Sequence, residues 1–186
     1  GVTGAVMTGW AIGCLSAGYH AARRVWAPAV LLAVAAGLKS LDAAVLSLPV
    51  GHGSVANPMF AFAVQALLLM LVAATIRWAK ADGRAVDMAA GGLIGLGAAG
   101  LFPLVGFVTG SPACIHAGTT LPVAVVYAPL SAALGSVAYP LGRILAERLQ
   151  SWLAAGPAPA PVRARWLDAA AVAALVLFVG VELLAR

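Results

Sequence analysis

Two charged residues, Lys39 and Asp42, lie in the stretch GLKSLDAAVL, inside an apolar run that extends over residues 27–49. A charge at the centre of a bilayer costs roughly 2.5–3.5 kcal/mol on insertion scales, so such a residue normally faces protein or a water-filled cavity and has a partner. A spacing of three places both side chains on one face of a helix, close enough to neutralise each other. The pair is therefore either structural, easing insertion and fixing helix packing, or it lines a polar cavity that contacts a substrate or a proton.

Four further polar residues within or beside apolar runs complete the predicted substrate-binding set: Asn57, Gln65, Tyr127 and Glu182. Asn57 precedes Pro58, which biases it towards extended backbone, so we expect Asn57 to cap the helix that begins there. Gln65 lies further along the same run, about two helical turns away and on nearly the same face. A buried glutamine needs hydrogen-bond partners. We expect these groups to converge on a polar cavity.

Three potential metal ligands stand between apolar runs, in the segments HGS at 52–54 and CIH at 114–116. His52, Cys114 and His116 are ligand types for a soft or borderline metal, although their spacing matches no recognised zinc pattern. They are either ordinary loop residues or a capture site for a metal or a metallocofactor such as a corrinoid. A bis-histidine haem needs two ligands at matched depth, and His20 stands at the opposite end of an apolar run, so haem is not predicted.

The remaining reactive side chains do not form an enzyme-like arrangement. Cys14 and Cys114 show no CxxC spacing, and they are poorly placed to meet, so a thiol relay is a minor hypothesis. The sequence offers no nucleophile with its base, no phosphate loop and no carboxylate pair. We therefore predict a protein without catalytic activity, and its cofactor, if it has one, is not identified by these residues.

The composition identifies the elements that must position these groups. Of 186 residues, 63% are hydrophobic and 9% charged, against roughly 25% charged in soluble domains. The apolar residues form blocks long enough to cross ~30 Å of hydrocarbon as helices, without the alternation of a membrane barrel. The sequence predicts an all-α, polytopic membrane bundle forming a single transmembrane domain, 1–186, with six spans: 4–19, 27–49, 57–78, 88–109, 120–142 and 167–185.

Nine of the eleven basic residues fall in alternate connections between these blocks: Arg23, Arg24, Arg77, Lys80, Arg84, Arg143, Arg148, Arg163 and Arg165. The positive-inside rule then places these connections in the cytoplasm, with both termini and the loops around His52 and His116 outside a cell inner membrane. The net charge of +5 is thus a topology signal, and no basic stripe with interleaved aromatics indicates nucleic acid.

The connector 143–166 is predicted to be cytoplasmic. Its first part, RILAERLQSW, either continues the fifth helix or lies in the interface, and the proline-rich GPAPAPVRARW is expected to be extended. Small residues recur at intervals of three or four in AAGGLIGLGAAG and SAALGSVAYPLG. Such spacing favours close helix packing, either within one bundle or against another membrane subunit.

The stretch from AGLKSLDAAVLSLPV to NPMFAFAVQALLL, with Lys39, a Gly-rich loop and then Asn57-Pro58-Met59 opening a helix, resembles the S components of energy-coupling-factor vitamin and metal transporters. The resemblance covers about a quarter of the chain. It implies a six-helix bundle that captures a vitamin-like compound or a metal from outside and docks to a coupling subunit carrying two ATPases. Those proteins usually have cytoplasmic termini, so either a segment preceding Gly1 is absent here or the resemblance does not hold.

These features together favour a membrane subunit that captures or transports a small molecule. Its partners would be the lipid bilayer, a small-molecule substrate and other membrane subunits, with no nucleic acid. An anchoring subunit of a larger membrane complex is the alternative, in which the Lys39–Asp42 pair is structural. A thiol or metal membrane protein is a third, less favoured hypothesis.

Overall fold

The computed structural model describes residues 2–49, 52–110 and 114–154, and every regular element of these ranges is helical. The helices are α1 (Val2–Ala22), α2 (Ala27–Val45), α3 (Gly53–Ala79), α4 (Arg84–Leu101), a 3₁₀ turn (Phe102–Leu104), α5 (Val105–Thr109), α6 (Val123–Val126) and α7 (Ala128–Ala154). The only β-type pairing in the described ranges is one isolated bridge, between Ile115 and Pro122. The predicted all-α class is confirmed.

Three helical segments are long and apolar enough to cross a bilayer by length and composition: Ala27–Val45, Gly53–Ala79 and Arg84–Thr109. The third runs from α4 through the 3₁₀ turn to α5. Helix α1 contains several Gly, Ser and Thr residues, and α7 carries charges in its second half. Neither helix therefore reaches the mean hydropathy of the three segments. The chain thus has the character of a membrane protein, while the number of six spans is not established.

The boundaries of the predicted blocks differ from the helices at one place in particular. The block 120–142 does not begin a helix at 120, because Pro122 forms the N-cap of the short α6 and the long helix α7 starts only at Ala128. At its other end α7 continues to Ala154. The segment RILAERLQSW has no Gly or Pro to stop the helix, and Arg143 pairs with Glu147 one turn on. The sixth block, 167–185, lies outside the described residues.

The core lies where α1, α3, α4 and α7 meet. Each contributes a large, fully buried side chain, respectively Ile12, Leu69, Ile94 and Tyr139. Helix α2 packs against α1 and α3. Ser16 of α1 donates a buried hydrogen bond of 2.7 Å to the carbonyl oxygen of Tyr139, which ties α1 to α7. The four helices therefore enclose one common interior.

Helices α4 and α7 approach each other at glycines. A Cβ built on Gly91 would collide with the backbone of Gly135, and one on Gly95 would collide with the backbone of Ser131. The small residues of AAGGLIGLGAAG and SAALGSVAYPLG thus pack on one another within the chain, the first of the two uses predicted for them. At these positions the small-residue faces are not free to bind another subunit.

Residues Gly1–Gln150 form one compact unit and Ser151–Arg186 a second, of which the described part is the end of α7. Half of the predicted connector 143–166, residues 155–166, lies outside the described residues. The single domain over 1–186 therefore stays a prediction.

Candidate functional site

Gln65 is the most deeply buried of those predicted substrate-binding residues whose side chains the structure describes. It lies on α3 and is 2% exposed. Its Nε2 atom is 3.5 Å from the Thr8 hydroxyl of α1, the outer limit for a hydrogen bond. Its Oε1 atom is buried and has no hydrogen-bond partner among the described residues. An unsatisfied amide therefore sits between α1 and α3, in the interior of the bundle.

Lys39 is also buried, as expected for a charged residue that faces protein. It is 6% exposed on α2 and is not isolated. Asp42 follows on the same helix, and its side chain lies outside the described structure. Both roles considered for this pair, a structural ion pair and a contact to a substrate, therefore stay predictions.

The prediction that Asn57 caps a helix is wrong, because α3 begins at Gly53 and His52 is its N-cap. His52 Nδ1 accepts a hydrogen bond of 3.3 Å from the backbone N–H of Ser54, and it lies 2.7 Å from the Ser54 hydroxyl. Pro58 lies inside the helix. Its missing N–H removes the hydrogen bond to the carbonyl four residues earlier in the helix. Asn57 is half-buried, beside Gly53.

The loop 114–123 folds back on itself and brings His116 to Tyr127. Backbone hydrogen bonds run from His116 to Leu121 (2.9 Å) and from Val123 to Cys114 (2.8 Å). His116 Nδ1 donates to the Ala117 carbonyl oxygen at 3.1 Å, and the His116 and Tyr127 ring centroids are 6.2 Å apart. His116, a predicted metal ligand, and Tyr127, a predicted substrate contact, are thus neighbours just before the start of α7.

The predicted metal ligands have other roles or surroundings in the described structure. His52 caps α3, and Cys114 is exposed with a free thiol. No group of three or more His, Cys, Asp or Glu side chains in the described ranges is placed to hold a metal ion. Residues 111–113, which precede Cys114, lie outside those ranges, and so does Glu182. The metal site and the role of Glu182 therefore stay predictions.

A charged network that the sequence analysis did not identify surrounds Arg143 of α7. Its Nη1 atom lies 2.9 Å from Asp82 Oδ1 and 3.1 Å from Asp87 Oδ2, and its Nε atom lies 3.0 Å from Glu147 Oε1. Asp82 belongs to the α3–α4 connection and Asp87 to the first turn of α4, where a helix N-terminus favours negative charge. One guanidinium thus joins three carboxylates from three parts of the fold.

The electrostatics of this network follow from its geometry. The hydrogen bond from Arg143, together with the Gly83 backbone N–H, lowers the pKa of the Asp82 carboxyl below its usual value. Asp87 is buried, whereas Asp82 is largely exposed. The same guanidinium therefore supports one solvated carboxylate and one that has little access to solvent.

A cavity of about 400 Å³ opens beside the network and is lined by Tyr19, His20, Arg23, Arg77, Arg143, Glu147 and Gln150. Gln150 Nε2 donates to the carbonyl oxygens of His20 (3.3 Å) and Ala21 (2.8 Å) at the end of α1. His20 Nε2 is buried and has no hydrogen-bond partner in the described part of the chain. Burial, and next the charge of Arg143, lower the pKa of His20, which lies beyond the first apolar block.

Three of the nine basic residues predicted to lie on one side of the membrane, Arg23, Arg77 and Arg143, therefore line this one cavity. The sequence signal for this grouping was the alternation of charge along the chain. The spacing of Arg143 and Glu147 was visible too, but the contacts of Arg143 with Asp82 and Asp87 span 61 and 56 residues and have no local pattern.

Comparison with known protein families, with curated proteins and with solved structures finds no match for this chain.

Proposed function

We propose that this chain is a substrate-capture or transport subunit of the cell inner membrane that binds a small polar molecule without catalysing a reaction. The observation that carries the proposal is Gln65, whose amide is buried with one polar atom unpaired among the described residues. Leaving such an atom unpaired costs about 1–3 kcal/mol, and an apolar residue of the same size would avoid that cost. A ligand that completes the hydrogen bonding of the amide gives a reason for a glutamine there.

The chemistry of the amide restricts the ligand. The Thr8 hydroxyl is the one described group to which the Gln65 amide is hydrogen-bonded, and a hydroxyl can donate or accept, so the unpaired position takes a donor or an acceptor according to the orientation of the amide. A molecule that carries hydroxyl, amide or amine groups supplies the complementary donor or acceptor. A vitamin-like compound has these groups. The other predicted contacts are Lys39, Asp42, Asn57, Tyr127 and Glu182.

The orientation belongs to the same proposal. The basic residues gathered at one end of the bundle support a cytoplasmic position for that end under the positive-inside rule. The loop of His116 and Tyr127 would then lie outside, where a substrate arrives. By analogy with energy-coupling-factor S components, the partner would be a membrane coupling subunit with two ATPases.

The test compares Gln65→Met with the wild type after mild detergent purification. Native mass spectrometry of the wild type should show a co-purified small molecule, and the variant should lack it. Because the methionine removes an unpaired buried atom at nearly constant volume, the thermal stability of the ligand-free variant should equal or exceed that of ligand-free wild type. Leu67→Met, at an exposed position of the same helix, is the control and should retain the adduct.

Two outcomes would contradict the proposal. If Gln65→Met retains the adduct, Gln65 does not contact the ligand. If the wild type carries no small molecule but retains a second membrane protein, the anchoring-subunit alternative is favoured.

A further inference from the structure

The cavity between the ends of α1, α3 and α7 brings three arginines together, of which one is paired with carboxylates. Arg143 is matched by Asp82, Asp87 and Glu147. Arg23 and Arg77, which line the same cavity, form no ion pair with any described residue. Two guanidinium groups are thus available at one cavity, and planar guanidinium groups bind the oxygens of a phosphate in forked, charge-assisted pairs.

A third group in the cavity also lacks a partner. His20 Nε2 is buried without a hydrogen bond among the described residues, while its ring is held edge-on between Tyr19 and Tyr139, with centroid distances of 4.8 and 5.7 Å. The ring is therefore fixed, and in the tautomer with a proton on Nε2 it can donate to an anionic oxygen. Arg23, Arg77 and His20 together offer donors of the kind that a phosphate group accepts.

The surroundings of the cavity indicate where that phosphate comes from. Trp26 and Trp78 stand near Arg23 and Arg77 in the chain, and their exposed fractions are 56% and 86%. Exposed tryptophans beside arginines at the ends of apolar helices are typical of the membrane–water interface. Basic pockets between membrane helices at that level bind the headgroups of anionic lipids.

We propose that this cavity is a binding site for the phosphate headgroup of an anionic phospholipid, held by Arg23, Arg77 and His20. The proposal depends on the membrane location of the chain but not on substrate capture, because Gln65 and the cavity share no residue. It can therefore hold or fail independently of the function proposed above.

The test uses the full chain, delipidated in neutral detergent, with phosphatidylglycerol, phosphatidylcholine and inorganic phosphate as separate probes. Lipid retention is measured by native mass spectrometry and stabilisation by thermal unfolding. The wild type should bind phosphatidylglycerol about thirtyfold more tightly than phosphatidylcholine, which corresponds to about 2 kcal/mol for two arginines that each favour an anionic lipid. Arg23→Gln/Arg77→Gln should lose this preference.

The matched control is Arg24→Gln/Arg84→Gln, which removes the same charge from two exposed positions that do not line the cavity. It should retain the preference within about twofold. Equal loss in both double variants would show surface charge rather than a site, and a wild type without the preference would overturn the proposal. Stabilisation by inorganic phosphate but not by phosphatidylglycerol would overturn the lipid assignment and make the ligand a soluble phosphate.

Discussion

At the scale of single residues, Arg143 binds two carboxylates that lie in very different surroundings. Asp82 and Asp87 bind the same Nη1 atom at nearly the same distance, but the Asp82 side chain is 77% exposed and that of Asp87 only 11%. An exposed ion pair contributes little to stability, because water screens the two charges. A buried carboxylate such as Asp87 depends far more on the Arg143 guanidinium, since water cannot reach the carboxylate to take the place of that charge.

We therefore expect Asp87→Asn to destabilise the protein by about 1–3 kcal/mol, and Asp82→Asn to have little effect. The measurement is the denaturant or thermal midpoint of both variants in one detergent at pH 7. The two substitutions remove the same charge from the same arginine, so each is the control for the other. Equal losses would mean that burial does not decide the strength of this network.

The pH dependence of Asp82 has a definite sign. Its pKa is lower in the folded protein than the value of about 3.9 expected for an unfolded chain. Its contribution to stability is present above the unfolded value and is lost as the pH falls through the folded value. At pH 7 the carboxyl is ionised in both states, so the comparison of the two Asp variants includes this contribution in full.

At the scale of elements, the contact of α4 with α7 depends on the absence of side chains. The backbones of the two helices are so close at Gly91 and Gly135 that a methyl group on Gly91 meets the Gly135 backbone and the Tyr139 Cβ. Tyr139 belongs to the core shared by four helices. Any widening of this contact would therefore disturb the interior as a whole.

We expect Gly91→Ala to lower stability by about 1–3 kcal/mol, because overpacking at backbone contacts outweighs the gain of roughly 1 kcal/mol in helix propensity. Gly100→Ala is the control on the same helix, since a Cβ there meets nothing within 4 Å, and it should be neutral or slightly stabilising. Thermal unfolding of both variants in detergent checks this. A neutral Gly91→Ala would mean that α4 and α7 can separate without cost.

At the scale of the whole molecule, two residues of α7 connect elements that meet at one end of the bundle. Arg143 binds Asp82 just after α3, and Gln150 donates to the His20 carbonyl oxygen near the end of α1. Arginines from three connections that are distant in sequence line one cavity there. The alternation of charge along the chain thus corresponds to one end of the folded unit, the arrangement that a single membrane orientation requires.

The proposed topology predicts opposite labelling of two exposed alanines, Ala81 in the α3–α4 connection and Ala117 in the loop of His116. In a background without Cys14 and Cys114, an impermeant maleimide should label Ala117→Cys in intact cells. It should label Ala81→Cys only after the membrane is opened. The reverse pattern would place the basic end outside and refute the assignment of both termini to the outer side.

The sequence by itself determined the all-helical class and the position of most helices, because hydrophobic composition and block length act locally. It also indicated buried roles for Lys39 and Gln65, which the structure places in the interior. It missed the cap of α3, since the preference of Asn57-Pro58 for extended backbone is weaker than the bonds His52 makes to Ser54. Only the tertiary structure decided that Arg143 binds Asp82 and Asp87 and that Arg23 and Arg77 share a cavity. Such contacts join residues dozens of positions apart, and they depend on how the helices cross, which the close approach of α4 and α7 at their glycines sets.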